Sequence, residues 1–403
     1  MWPEKIFWKP LESVVNQFKL RGSWGELGNQ NTSNLYPFYE ILPVKSNSGN
    51  WLVNGGKTNT ADIPSLVSTL LTWERVRSFN VGFDFGAFSN RLTGSFDYFV
   101  RKTVDMVGPA PQLPLVLGIA PAIVNNADMK SYGFEIELSW RDRIGEVDYG
   151  VKFNLADAQQ KVVKYPNTTN AFNDWYAGKM SGEIWGYTSL GIAKTDEEMK
   201  EHLASLPNGG QNQLGNKWGA GDIMYADING DGKVDGGKGT LADPGDQRII
   251  GNSTPRYNFG LVLDASYKGF DVSIFFQGVG KRDYAPIVGT NGAVFWGAVN
   301  NIWQSMAMEE HFDYFRPEGH PMGANLNGYY PRPDFTSNKN HQVQTRYLQD
   351  ASYIRLKNLQ IGYTLPKQWI NKLHINRCRV YVSGDNLWTG TSLASMFDPE
   401  TLA

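Results

Sequence analysis

Between Lys130 and Trp140 apolar and polar side chains alternate without a break: Tyr132, Phe134, Ile136, Leu138 and Trp140 on one side, Ser131, Gly133, Glu135, Glu137 and Ser139 on the other. After a turn-like stretch at Arg141–Glu146 the pattern returns, with Val147, Tyr149, Val151, Phe153 and Leu155 set against Asp148, Gly150, Lys152, Asn154 and Ala156. A side-chain period of two is that of a strand with one face withdrawn from water. The length, about ten residues, suits a tilted strand crossing a bilayer.

Other segments repeat the signature. Phe79, Val81, Phe83 and Phe85 are followed by Leu92, Phe96, Tyr98 and Val100; Tyr257 to Tyr267 and Phe270 to Phe276 are joined by Lys268-Gly269, a strong hairpin signal. Leu359, Ile361, Tyr363 and Leu365 precede Pro366, and Val380 and Val382 mark a last strand. Weaker candidates are Phe18–Leu27, Tyr36–Pro43 and Glu183–Ala193, giving about ten or eleven strands in all. The fold class expected is all-β: a partial antiparallel transmembrane barrel.

The connections alternate in kind. Residues 86–91, 141–146, 268–269 and 366–376 are short, whereas those at about 104–128, 158–254 and 279–349 are long and rich in Gly, Pro, Asn, Asp and Trp. Bacterial barrels have short periplasmic turns and long extracellular loops, so the long segments are assigned to the outside. Trp24, Trp73, Tyr132, Trp140, Tyr257, Tyr267 and Tyr363 fall near strand ends, where interfacial aromatics belong. No helix is expected to span a membrane: Met106–Ala127 lacks charge for 22 residues, but Pro109, Pro111, Pro114 and Pro121 interrupt it.

Composition narrows the function classes. In 403 residues, 38 Lys and Arg nearly balance 40 Asp and Glu, which leaves no global field for nucleic acid. The single cysteine, Cys378, excludes an intrachain disulfide and a cysteine metal cluster, and reads as a small filler beside a strand. The start, Met1-Trp-Pro-Glu-Lys, lacks the apolar core of a secretory signal.

Candidate chemistry is sparse. Asp227, Asn229, Asp231 and Asp235 stand at positions 1, 3, 5 and 9 of a calcium-loop spacing, with Gly232 at the sharp turn and the Lys233 carbonyl at position 7. Position 12 is Lys238, so a closing carboxylate has to come from Asp246 or Asp243; an Asx turn with solvated carboxylates is the alternative. Calcium is the one cofactor expected. Glu135 and Glu137 share one strand face and are read as lumen lining rather than a glycosidase pair. Glu309-Glu310-His311 is read as a solvated loop helix, and no nucleophile elbow, phosphate loop or dinucleotide fingerprint occurs, so an enzyme is not expected. Loop tryptophans Trp175, Trp185, Trp296 and Trp303 are candidate stacking surfaces for substrate.

Longer strings carry a family signal. Phe18-Lys-Leu-Arg-Gly-Ser-Trp-Gly-Glu-Leu-Gly-Asn-Gln-Asn31, Tyr132-Gly-Phe-Glu-Ile-Glu-Leu138, Asp227-Ile-Asn-Gly-Asp-Gly-Lys-Val-Asp235, Arg248-Ile-Ile-Gly-Asn-Ser-Thr-Pro-Arg-Tyr257, Tyr353-Ile-Arg-Leu-Lys-Asn-Leu-Gln-Ile-Gly-Tyr363 and Phe397-Asp-Pro-Glu-Thr401 together resemble the SusC/RagA family of TonB-linked outer-membrane transporters. The resemblance implies a barrel of about 22 strands with an N-terminal plug. It further implies energy from TonB, contact with outer-membrane lipid, and a SusD-like lipoprotein that helps capture glycans or peptides. On this reading residues 1–403 are the C-terminal portion of such a barrel, with plug and closing strand outside it. A secreted, calcium-stabilised β-rich glycan-binding protein is the alternative, and in that case the apolar stripes should pack sheet against sheet.

Overall fold

The computed structural model describes residues 14–30, 39–64, 66–68, 71–110, 116, 118–119, 121–286, 289–300, 307–334, 338–371 and 374–402. Nine long strands form one antiparallel sheet in chain order: β1 (Val15–Asn29), β2 (Glu74–Ala87), β3 (Leu92–Val107), β4 (Asn125–Ile144), β5 (Val147–Lys164), β6 (Arg256–Tyr267), β7 (Phe270–Lys281), β8 (Tyr353–Thr364) and β9 (Arg379–Thr391). Each strand pairs with its sequence neighbours, a meander whose two edges are β1 and β9. Lys268 (φ 47°) and Gly269 (φ 93°) turn β6 into β7 with two consecutive positive-φ residues. That geometry matches the twist of the flanking strands.

The register fixes the faces. Leu20, Phe83, Phe96, Ile136, Leu155 and Phe259 are laterally paired across six strands; one position along, Arg21, Gly82, Asp97, Glu135, Ala156 and Asn258 form the opposite row. Leu20 is 72% exposed, Val382 76% and Ile361 53%. The apolar stripes therefore stay open rather than packing against a second sheet, which is the outcome the secreted alternative excludes.

Five successive outward positions on β4, Tyr132 to Trp140, are apolar, bounded by Lys130 and Asp142. At about 3.4 Å per residue and a tilt of about 40°, that stretch covers roughly 21 Å, close to the apolar band of an outer-membrane barrel. The same five-position run recurs on β2 from Phe79 to Ala87, on β3 from Leu92 to Val100 and on β5 from Val147 to Leu155. On β5 the band ends lower, because Asp157 lies level with Phe134. There Asp157 accepts two hydrogen bonds from the Arg256 guanidinium, which keeps its buried charge paired.

Two sequence expectations change. Among the described residues the large sheet has nine strands: Tyr39–Pro43 is not strand, residues 36–38 lie outside the described ones, and Glu183–Ala193 splits into Glu183–Gly186 and Ser189–Ile192. These pair with Arg248–Asn252 and Ile223–Tyr225 in the loops, since the chain turns at Tyr187-Thr188 before any barrel strand is near. Second, β3 and β5 run on to Val107 and Lys164, past the apolar band, so the connections are 108–124, 165–255 and 282–352. Residues 30–73 make a further long connection at that same end.

The connections 165–255 and 282–352 fold together into a cap with its own core. Tyr187, Ile223, Tyr225, Phe295, Trp296, Tyr330 and Tyr347 are buried in it. Backbone hydrogen bonds from Tyr187 N–H to the Val343 carbonyl and from Thr345 N–H to the Tyr187 carbonyl stitch the two segments. Below them Asp222, fully buried, accepts from Arg332, from the Lys339 ammonium at 2.9 Å, from Asn340 and from the Gly219 N–H. Lys339 is itself 1% exposed, so neither charge has water to fall back on.

Two outcomes follow from this architecture. Ile136→Arg should weaken insertion into lipid by about 2–4 kcal/mol, and Glu137→Arg, one residue on but facing the other way, by less than about 1 kcal/mol. Equilibrium refolding into vesicles measures both; equal costs would remove the assignment of faces. In the cap, Asp222→Ala leaves Lys339 buried without its main partner and should cost about 3–5 kcal/mol of cap stability. Protease cleavage at residues 165–255 and 307–349 should rise while the strands stay protected.

Candidate functional site

What the fold offers a ligand lies on the polar face and at the cap. On the polar face Arg21 bridges Asp97 at 2.6 Å and Asp84 at 2.8 Å. A groove of about 600 Å³ runs there between Arg21, Asn80, Asp97, Arg101, Ser131 and Glu135. Glu135 and Glu137 are exposed on this face, as lumen lining requires. Carboxylates, guanidinium groups, amides and hydroxyls make it a wetted wall for polar solutes.

The loop at 227–246 is a closed polar turn. Asp227 accepts the N–H groups of Gly230 and Gly232; Asn229 accepts from Asp231 N–H, and Asp231 from Lys233 N–H. Gly230 (φ 76°) and Gly232 (φ 79°) supply the left-handed backbone this winding requires. Asp246, buried, reaches back across the loop and accepts from Ile228, Asn229 and Asp235 N–H groups. Lys233 places its ammonium 2.5 Å from Asp235 and 3.8 Å from Asp231. That hydrogen bond holds the Asp235 carboxyl below the ordinary carboxylate range and the Lys233 ammonium above its own. The six residues thus share one turn, but their carboxylate oxygens point to backbone amides and to Lys233. Among the described residues no three carboxylate, histidine or cysteine side chains gather as a metal set.

The tryptophans separate. Trp175 is half-buried beside Tyr165 at a ring distance of 6.0 Å, and the two border a pocket of about 270 Å³ with Asn167, Thr169, Asn173 and Asp174. Trp185, half-buried, is stacked on Phe172 at 4.6 Å. Trp296, expected as an exposed stacking surface, is 3% exposed: it packs against His341 at 4.1 Å and Tyr347 at 4.8 Å, because the helix Gly289–Asn300 is the centre of the cap core. Burial drives the His341 imidazole down to about 3, so the ring on Trp296 is neutral. Trp303 lies outside the described residues.

His311, expected in a solvated helix, is buried; its Nδ1 accepts from Met308 N–H, and its Nε2 donates toward the Val294 and Phe295 carbonyls. The groups that sequence reasoning did not single out are Asp222, Arg332 and Lys339. Arg332 and Lys339 lie 110 and 117 residues from Asp222 along the chain and reach it only after the loops have met.

Comparison with known proteins gives the arrangement a lineage. The family model for the TonB dependent receptor-like, beta-barrel domain matches residues 6–387. TonB-dependent receptor P3 of Formosa agariphila is 28% identical over 96% of this chain and 36% of its own length. TonB-dependent receptor SusC of Bacteroides thetaiotaomicron is 21% identical over 91% of this chain and 33% of its own. Among solved structures, the RagAB peptide transporter superposes with a TM-score of 0.70 at 22% identity, over 96% of this chain and 39% of that one. The chain thus spans between 33% and 39% of the length of these relatives. With the family model covering nearly all of the nine-stranded sheet and its cap, the chain belongs to the TonB-dependent receptor-like β-barrel family.

Proposed function

We propose that this chain forms part of the wall and outer loops of an outer-membrane importer, energised through TonB and assisted by a SusD-like surface lipoprotein, that takes up oligosaccharides or peptides. One observation carries the reading: a single sheet with an exposed apolar band of about membrane height on one face, a charged and amide-rich wall on the other, and all its long connections at one end. Family membership supports the TonB coupling and the outer-membrane location. The RagAB structure that the chain superposes on is that of a peptide transporter, which makes a peptide one cargo to test; the lipoprotein partner is what the SusC/RagA resemblance implies.

Recognition on this reading sits in the cap, because Gly145-Glu146 and Lys268-Gly269 are too short to hold a large ligand. The pocket beside Trp175 combines an aromatic face with amide, hydroxyl and carboxylate groups, the pairing that sugar rings and peptide backbones both use. A tag inserted in the exposed helix Asp196–Ala204 should be reached by antibody on intact cells. Trp175→Ala should lower uptake of labelled oligosaccharide or peptide about ten-fold at unchanged surface display, as loss of one stacking surface would give. A tag accessible only after cell lysis would reverse the sidedness; unchanged uptake would take Trp175 out of the binding surface.

For the 227–246 loop we propose that calcium enters by displacing the Lys233 ammonium, which occupies the cationic position between Asp231 and Asp235. The donor spacing supports this, and the backbone-satisfied geometry of Asp227 and Asp246 sets its limit. Calorimetry should find calcium binding at least about ten-fold tighter in Lys233→Ala than in the parent, since a competing charge is gone. Absence of calcium heat in both would leave an Asx turn and nothing more.

A further inference from the structure

We propose that Lys130 and Lys161, with Lys102 beside them, form a binding row for phosphate-bearing lipid headgroups on the outward face of the sheet, just above the apolar band. The proposal rests on the membrane reading above and adds a specific lipid contact to it.

The register brings the row together. Glu26, Arg77, Lys102, Lys130 and Lys161 are laterally paired across β1 to β5, one outward position above Trp24, Phe79, Val100, Tyr132 and Gln159. Four consecutive strands therefore present cations on the same face, immediately above a row in which Phe79 and Tyr132 are aromatic. Arg77 is answered by Glu26 at 2.6 Å, and Lys102 by Asp128 at 3.7 Å. Arg75, one outward position higher on β2, pairs with Asp105 at 2.5 Å.

Lys130 and Lys161 differ from these neighbours. They are direct cross-strand partners of like charge, an arrangement that destabilises a sheet unless an anion sits between them. Lys130 lies over the Tyr132 ring at 5.3 Å, and among the described residues neither ammonium has a carboxylate within salt-bridge distance. Lys161 is exposed.

The opposite end of the sheet shows a contrasting arrangement. There Arg91 pairs with Asp142 at 3.0 Å, Lys268 with Glu146 at 2.8 Å and Arg143 with Asp148 at 3.7 Å. An uncompensated pair at the long-loop end, with Lys130 directly above Tyr132 and Lys161 above Gln159 on the outward face, fits a ligand that is apolar below and anionic above. A lipid phosphate meets both requirements, whereas a soluble anion has no use for the apolar band.

The test uses the folded outer-membrane receptor carrying these strands, reconstituted in phosphatidylcholine nanodiscs with or without a small fraction of lipid A as the phosphate-bearing probe. Wild type should retain lipid A through detergent extraction and gel filtration. Retention should fall about five-fold for each lysine neutralised, roughly 30-fold for Lys130→Gln with Lys161→Gln. Lys268→Gln at the other end should leave it unchanged. Raising salt should release the lipid from wild type, a measurement that needs no variant. Equal retention in wild type and double variant, with both inserted, would overturn the proposal while leaving the membrane reading intact. Release by millimolar inorganic phosphate alone would overturn it too, by reducing the row to a site for any small anion. Failure of wild type to insert in any nanodisc would instead strike the membrane reading.

Discussion

Everything in this structure answers to one constraint: a backbone crossing lipid has no water to satisfy its N–H and C=O groups, so each must find a partner in a neighbouring strand. Lateral pairing fixes the register, and register decides which side chains meet lipid and which meet water. A slip of one residue in β4 would send Ile136 inward and Glu137 into hydrocarbon. The same constraint bears on β1 and β9, which among the described residues have no strand along one side, since every unsatisfied group in hydrocarbon costs several kcal/mol. The nine strands are thus an arc that lipid tolerates once both edges are joined to further strands.

Where a residue's role depends on period two, the sequence displayed it. Tyr132 to Trp140, Val147 to Leu155 and the Lys268-Gly269 turn are local signals, and the structure follows them residue for residue. Strand ends were less legible: β5 continues for eight residues past Ala156, where Asp157 and Gln159 stand level with Phe134 and Tyr132 and end the apolar run early, and Lys161 stands above the band opposite Lys130. Glu183–Ala193 alternates like a barrel strand, but the turn at Tyr187-Thr188 sends it into the cap, a tertiary choice that alternation does not encode.

The site was legible in part, for a related reason. The spacing from Asp227 to Asp235 announced a tight turn rich in oxygen donors, and Asp246 does reach back to close it. That Lys233 folds onto Asp235 is a rotamer choice outside any spacing rule. Trp296 looked like an exposed loop aromatic because Gly, Pro and Asn surround its segment; burial came from Tyr330 and Tyr347, residues whose approach no local pattern foretells. Lys130 opens an alternating run legible in the sequence, whereas Lys161 falls in a segment that reads as long loop, and only the lateral register sets the two charges opposite each other.

The cap built from two loops has a consequence for the order of events during assembly. Its core joins Tyr187 and Tyr225 to Tyr330 and Tyr347, and between the two loops the chain runs down β6 and back up β7. Closing contacts over that separation carries a large entropic cost while the intervening strands are unpaired, and a much smaller one once the β6–β7 hairpin has anchored the loop ends side by side. The cap should therefore be among the last parts to acquire protection from hydrogen exchange. A chain stalled before β6–β7 pairing would expose the buried aromatics of both loops together, a surface that chaperones and proteases would read as unfinished.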